Sequence, residues 1–251
     1  MADAAAAPPR PRETPDIETS SERYAQRFAG PAGRYMRGVQ EEGALALLGQ
    51  PPGALGRTVL DVGGGHLQMV APLARHGCEV TIFGSDTRCG ERWNAGPLAN
   101  QVRFEADDLL DMPFADRNFD AVVSIRLMAH MEDWRGLVRE MCRVARQSVV
   151  IDYPTFTSLN ALSVVAFPLK RAVEHHTRTY RTFRDSEVRE AFAESGFTPV
   201  ATYKQFVLPM AAHRVLGRLG LLRWAERMLR GGGVTKAVGN PVLIRFDRCA
   251  A

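Results

Sequence analysis

Apolar residues along the chain follow two alternating rhythms. Short, dense apolar runs at Thr58–Val62, 79–83, 102–105, 119–125 and 148–152 alternate with stretches in which apolar positions recur every three or four residues. Runs of that length predict strands buried on both faces, and the slower period predicts amphipathic helices between them. The segment 24–49 carries Tyr35, Val39, Leu45 and Leu48 at helical spacing and is closed by Pro51-Pro52-Gly53, so a leading helix is expected before the first strand. Further helices are expected over 66–76, Trp134–Val144 and 187–195, and the last two strands over 199–207 and 241–246. Repeated strand–helix units imply an α/β fold, a parallel sheet with helices on both faces. Ligands of such sheets sit at the carboxyl ends of the strands, where the strand order reverses. Asp61, Asp86, Asp108, Arg126 and Asp152 all fall at or just beyond such ends.

The run Thr58-Val59-Leu60-Asp61-Val62-Gly63-Gly64-Gly65-His66 takes a strand through an acid into three glycines. Glycine permits positive φ and close backbone approach to a ligand, and a helix that follows offers unpaired N–H groups. A dinucleotide fingerprint wants a third glycine three residues after the second; counted from Gly63 and Gly65, that position is Gln68. The pattern present is Asp-x-Gly-x-Gly, followed by a second strand that ends in Gly84-Ser85-Asp86. A carboxylate such as that of Asp86 can accept two hydrogen bonds at once. Downstream, Phe104-Glu105-Ala106-Asp107-Asp108-Leu109-Leu110-Asp111-Met112-Pro113-Phe114 leads into Phe119-Asp120.

These motifs together resemble the class I S-adenosylmethionine-dependent methyltransferases, in particular type 11-like domains similar to small-molecule and quinone methyltransferases. The resemblance covers residues 58–152 firmly and the remainder in outline. It implies a Rossmann-like doubly wound sheet of about seven strands, mostly parallel with an antiparallel last strand, and S-adenosyl-L-methionine as cofactor. It also implies that Gly63, Gly64, Gly65 and His66 pass under the methionine part while Asp61 holds the turn. Asp86 with Thr87 would meet the ribose, and Asp108 would accept from the adenine amino group, with Asp107 the near alternative and Leu109 adjacent. Backbone groups near Ser124 and Arg126 would face the amino-acid end, and Tyr24 belongs to a region that closes over the cofactor in relatives. One departure is Arg146-Gln147-Ser148, where relatives carry Lys-Pro-Gly-Gly. The implied organisation is a disordered tail over 1–20 and one methyltransferase domain over 21–251, with substrate-cover segments near 153–185 and 208–235.

A sulfonium methyl group is already electrophilic, so alignment of the acceptor is the main task and a base is optional. His130, just past the fourth strand, is the candidate base, with packing as the alternative role. Tyr153, Phe156, His175, His176 and Met210 are the candidate acceptor-lining residues; no Asp, Glu or Cys accompanies the histidine pair at ligand spacing, so no metal is expected. The stretch 209–230 interleaves apolar residues with arginines, which suits a core face or a basic amphipathic helix touching a membrane or a lipophilic acceptor. The expected activity is methylation of a small, apolar molecule at O, N, S or C. The alternatives are an RNA or protein methyltransferase, and a non-catalytic S-adenosylmethionine-binding scaffold or regulator.

Composition changes this picture little. At 251 residues and 45% hydrophobic content, the chain can bury a full core. The formal charge of +4 is carried almost wholly by arginine, with lysine only at Lys170, Lys204 and Lys236, a bias of composition more than a nucleic-acid surface. Four separated cysteines read as reduced thiols, and the first residues lack the apolar stretch of a secretion signal. A cytoplasmic protein is therefore expected, with oligomeric state unread.

Overall fold

The computed structural model describes residues 11–49, 57–94, 102–156, 180–208 and 219–250. Seven strands, β1 (Thr58–Val62), β2 (Glu79–Gly84), β3 (Arg103–Ala106), β4 (Phe119–Ser124), β5 (Ala145–Tyr153), β6 (Phe197–Phe206) and β7 (Asn240–Arg248), form one sheet in the order β3-β2-β1-β4-β5-β7-β6. Neighbours from β3 to β5 pair in parallel, and β7 runs antiparallel to both β5 and β6. The expected doubly wound, mostly parallel sheet with an antiparallel last strand is the architecture found. Its order reverses between β1 and β4, which opens the crevice at their carboxyl ends.

Alternation along the strands builds two cores. Leu60 and Val62 of β1, Val122 of β4 and Val149, Ile151 and Tyr153 of β5 pack on one face with α6 (Trp134–Val144) and α7 (Asp185–Glu194). Val59, Val123, Val150 and Leu243 pack on the other with α3 (Gly30–Leu48) and α4 (Val70–Arg75). On that second face, the period of two puts Asp61 and Asp152 where the next apolar residue would stand.

Several elements differ from the expected ones. The leading helix is broken into α2 (Glu22–Gln26) and α3, and the buried stripe of α3 is Met36, Gln40, Gly43, Ala44, Leu47 and Leu48, leaving Tyr35, Val39 and Leu45 half-buried. Gly43 explains the shift, since a Cβ there would meet the Tyr203 ring at 2.5 Å and Leu243 at 2.9 Å; only glycine lets α3 sit this close to β6 and β7. The helix expected from His66 starts at Val70, after a 3-10 turn at Gly64–His66 and Leu67 in the left-handed region (φ 60°). Residues 11–20, expected within a disordered tail, include the helix α1 (Asp16–Ser20), with Asp16, Thr19 and Ser20 buried. Of the stretch 209–230, α8 (Leu219–Gly231) is described: Leu222 is buried, whereas Leu221, Trp224 and Met228 are exposed, so the expected core face is not the one these residues form. The inward face instead carries Glu226, whose carboxylate accepts from the N–H groups of Val207 and Leu208.

Candidate active site

The glycine turn is built by contacts that exclude side chains. Gly63 takes φ 72° and donates its N–H to the Phe83 carbonyl at 2.8 Å, tying the turn to β2. A Cβ on Gly64 would overlap the Asp61 carboxylate, and one on Gly65 would overlap the Ser20 hydroxyl and the Cys89 carbonyl. Asp61 is wholly buried, and neither carboxylate oxygen has a hydrogen-bond partner among the described residues. Desolvation pushes its carboxyl up to about 7. Asp61 was expected to hold the turn; the side chain that does so is His66. Its Nε2–H donates to the Ile125 carbonyl at 3.0 Å, because Nδ1 is the acceptor for the Gln68 N–H at 3.1 Å. Burial lowers this imidazole to about 3, so it is neutral.

The acids beyond β2 and β3 are held by arginines. Asp86 accepts from the Arg88 N–H, Nε and Nη2, each at 2.9 Å, and those bonds keep its carboxyl well below the ordinary range. Thr87 is exposed beside it. Asp107 pairs with Arg12, while Asp108 caps the local turn by accepting from Leu110 at 2.9 Å. The Leu109 side chain is buried in the core. The segment bearing Arg12 crosses the same edge of the sheet: Glu13 accepts from the N–H groups of Glu132 and Asp133, and Asp16 accepts from the Ser85 N–H at 2.9 Å and its hydroxyl. The N-terminal strap thus lies over the ends of β2, β3 and β4.

Beside the turn, at the carboxyl ends of β4 and β5, lies a cavity of about 130 Å³. That is room for a small molecule, given that one water needs roughly 10–15 Å³. Its walls are Tyr24, Phe28, Met36, Ala129, Pro154, Tyr180, Phe206 and Pro241, with Gln40, Arg126, His130, Asp152 and Gln205 as the polar members. Arg126 stands in the left-handed region (φ 63°), a costly conformation for a side chain of this size that clusters at functional sites. The turn aims its N–H at Asp152 Oδ1 (2.6 Å), and its guanidinium lies 3.9 Å from the Phe28 ring centre. Asp152 Oδ2 accepts from Gln40 Nε2 at 2.7 Å. Gln40 Oε1 in turn accepts from Gln68 Nε2 at 3.0 Å, so a buried polar chain runs from the glycine turn to the cavity. Burial raises the Asp152 carboxyl to about 6, against the lowering pull of the Arg126 N–H and charge.

The structure brings Tyr24, Arg126 and His130 together at this cavity and leaves other candidates outside it. Ser124 donates to the Val62 carbonyl at 3.0 Å, a strand-to-strand tie. Tyr153, a candidate acceptor-lining residue, is not in this wall: alternation along β5 turns it to the opposite face, where its hydroxyl donates to Asp185 at 3.2 Å. Its neighbours Asp152 and Pro154 face the cavity in its place. Phe156 is also absent from the wall, exposed, with its N–H on the Phe183 carbonyl. His175, His176 and Met210 lie outside the described residues, as does the apolar stretch 159–167. Among the described residues no cluster of His, Cys, Asp and Glu has the arrangement of a metal site, and no helix is long and apolar enough to cross a membrane. The sequence left Gln40, Met36, Tyr180, Gln205 and Phe206 unassigned and placed Phe28 with Tyr24 in the closing region. Asp152 carried a signal, an acid at an inward position of an apolar strand.

Comparison with known proteins fits this geometry. Residues 60–151 match the family model described as a methyltransferase domain. Norajmaline N-methyltransferase of Rauvolfia serpentina is 30% identical over 139 residues, 53% of this chain and 47% of that enzyme. O-methyltransferase resE of Aspergillus sclerotiorum is 32% identical over 96 residues, 36% of each chain. The matched stretches therefore span less than half the length of these relatives. Magnesium protoporphyrin IX methyltransferase from Synechocystis PCC 6803, solved with bound S-adenosylhomocysteine, superposes with a TM-score of 0.62 at 16% identity, covering 93% of this chain and 97% of that one, a likeness of fold. Through residues 60–151, the chain carries a methyltransferase domain similar to those of the class I S-adenosylmethionine-dependent methyltransferases.

Proposed function

We propose that this protein transfers a methyl group from S-adenosylmethionine to a small, largely apolar molecule seated in the cavity beside β4 and β5. One observation carries the reading: a wholly buried carboxylate with no partner among the described residues, Asp61, lies under a glycine turn that a hydrogen-bonded chain joins to an aromatic-walled cavity. An orphaned buried carboxylate is costly unless a ligand supplies the donor, and the ammonium of an amino-acid tail is such a donor. When bound, the cofactor supplies a sulfonium-activated methyl group.

In this reading Gly63, Gly64 and Gly65 leave room for the tail, and His66 keeps the turn in shape. Asp86, beside Thr87, takes the ribose hydroxyls once it shares or releases Arg88. Asp108 or Asp107 meets the adenine edge next to Leu109, backbone groups at Ser124 and Arg126 face the amino-acid end, and Tyr24 closes the site. In the cavity wall, His130 and Asp152 have the side-chain chemistry of a general base. The names of the relatives, enzymes of an alkaloid and a tetrapyrrole among them, support a small-molecule acceptor.

The test is an assay for S-adenosylhomocysteine release with a panel of phenols, amines, thiols and quinols, run beside bulk RNA and protein. Turnover of one or more small aromatic acceptors is expected. Labelling of RNA or protein alone, or bound cofactor that is never consumed, would overturn the reading.

A further inference from the structure

Two polar side chains face an otherwise apolar cavity from its two sides. Asp152 pairs with Leu243 of β7, which pairs with Tyr203 of β6, so Gln205 stands two residues further along on the same face of the sheet. With β7 between them, the β5 and β6 backbones lie roughly 9–10 Å apart. Gln205 is only 2% exposed, and its Nε2 has no acceptor among the described residues. A buried N–H of this kind is rare without a partner, and the side chain that carries it stands in the cavity wall, where a ligand oxygen can supply the acceptor once the amide turns toward it. Asp152 is the complementary group. Each of its oxygens accepts one bond, from Arg126 and from Gln40, which leaves lone pairs free for a donor in the cavity.

Charge narrows the ligand further. The Arg126 guanidinium, against Phe28, offsets the Asp152 carboxylate in the same wall. A cationic ligand would bring a second positive charge beside Arg126, and an anionic one would face Asp152, so a neutral molecule fits best. The rings of Phe28, Tyr180 and Phe206 favour a flat one.

We propose, building on the methyltransferase reading above, that the acceptor is a flat, uncharged aromatic alcohol held at both ends: its hydroxyl donates to Asp152, and a carbonyl or ether oxygen at its far end accepts from Gln205 Nε2. As the oxygen–methyl bond forms and the methyl–sulfur bond breaks, the hydroxyl proton passes to the Asp152 carboxylate and the sulfonium becomes a neutral thioether. Burial suits Asp152 to this step, because a carboxyl raised to about 6 is a stronger base than an exposed one. Asp152 is then a catalytic residue, and Gln205 sets specificity.

The probe is 7-hydroxycoumarin, a fused ring with a phenol at one end and a carbonyl at the other, compared with 7-methoxycoumarin and 2-naphthol. Binding of each is measured with and without S-adenosylhomocysteine. Wild type is expected to bind 7-hydroxycoumarin about tenfold or more tighter than either analogue. Asp152→Asn should erase the preference over the methoxy compound, and Gln205→Leu the preference over 2-naphthol, each leaving the other preference in place. Since Nε2 has no partner among the described residues, Gln205→Leu should not lower the melting temperature, which keeps that arm informative if Asp152→Asn folds poorly. Equal binding of all three probes by wild type, no binding, or a uniform loss in each variant would overturn the proposal. Retained S-adenosylhomocysteine binding in those cases would leave the cofactor reading standing, whereas its absence from wild type would sink that reading separately.

Discussion

Asp61 shows how one side chain connects stability to ligand binding. Its carboxyl is raised from 3.8 to about 7 by desolvation, so the folded protein holds a proton that the unfolded chain has lost across that window. A raised carboxyl contributes stability below the unfolded value and loses it as pH rises toward 7, by at most about 1.4 kcal/mol per pH unit. His66 acts with the opposite sign, because burial lowers it to about 3 and the folded state binds fewer protons between there and 6.5. The difference between wild type and Asp61→Asn isolates the first effect. Thermal melts from pH 5 to pH 8 should show wild type losing ground against the variant up to about pH 7 and holding level above it; a constant difference would mean that Asp61 is ionised throughout. Cofactor affinity should move the other way, weakening up to about tenfold per pH unit below 7 in wild type, with a flatter slope in the variant. Calorimetry at three pH values reads this directly.

At the scale of elements, α1 and α8 behave unlike the pattern of their residues. α1 is five residues long, too short to persist by itself, and is fixed by tertiary contacts: Asp16 on Ser85, and Ser20 against Gly65. Asp16→Ala leaves a buried N–H and hydroxyl at Ser85 without that acceptor, and should cost about 2–3 kcal/mol or free the strap. Faster proteolysis within residues 11–20 would mark the second outcome; unchanged stability and cleavage would mean that the strap is held elsewhere. In α8 the weight rests on one acid instead of the apolar residues. Trp224→Ser, at a position 54% exposed, should change stability by less than about 0.5 kcal/mol. Glu226→Ala should cost about 1–3 kcal/mol by stripping the acceptor from the Val207 and Leu208 N–H groups. Chemical denaturation of the two variants distinguishes this helix from one packed by its tryptophan.

For the whole molecule, the sheet was legible because its strands are apolar on both faces, and the cofactor half of the site because its acids follow those strands in local motifs. Asp61 and Asp86 announce themselves through adjacent glycines. The cavity proposed for the acceptor was not legible for the opposite reason. Met36, Tyr180, Gln205 and Phe206 come from three separated stretches, and each taken singly reads as packing. Tyr153 was misplaced by a single residue of strand phase, which sends a side chain to the other face. The helix expected at His66 failed because Leu67 turns left-handed and delays α4. What the fold adds is adjacency: the reversal between β1 and β4 puts the glycine turn beside the cavity, and Gln68, Gln40 and Asp152 bridge them.

The central claim, a cofactor seated on this turn with its ribose on Asp86, is tested most directly by calorimetric titration of S-adenosylhomocysteine into wild type and Asp86→Ala. The account predicts one-site binding to wild type and affinity about tenfold or more weaker in the variant, in which the half-buried Asp86 is lost as cap of the short turn Thr87–Gly90 alone. Equal affinity in the two proteins, or no binding to wild type, would contradict it.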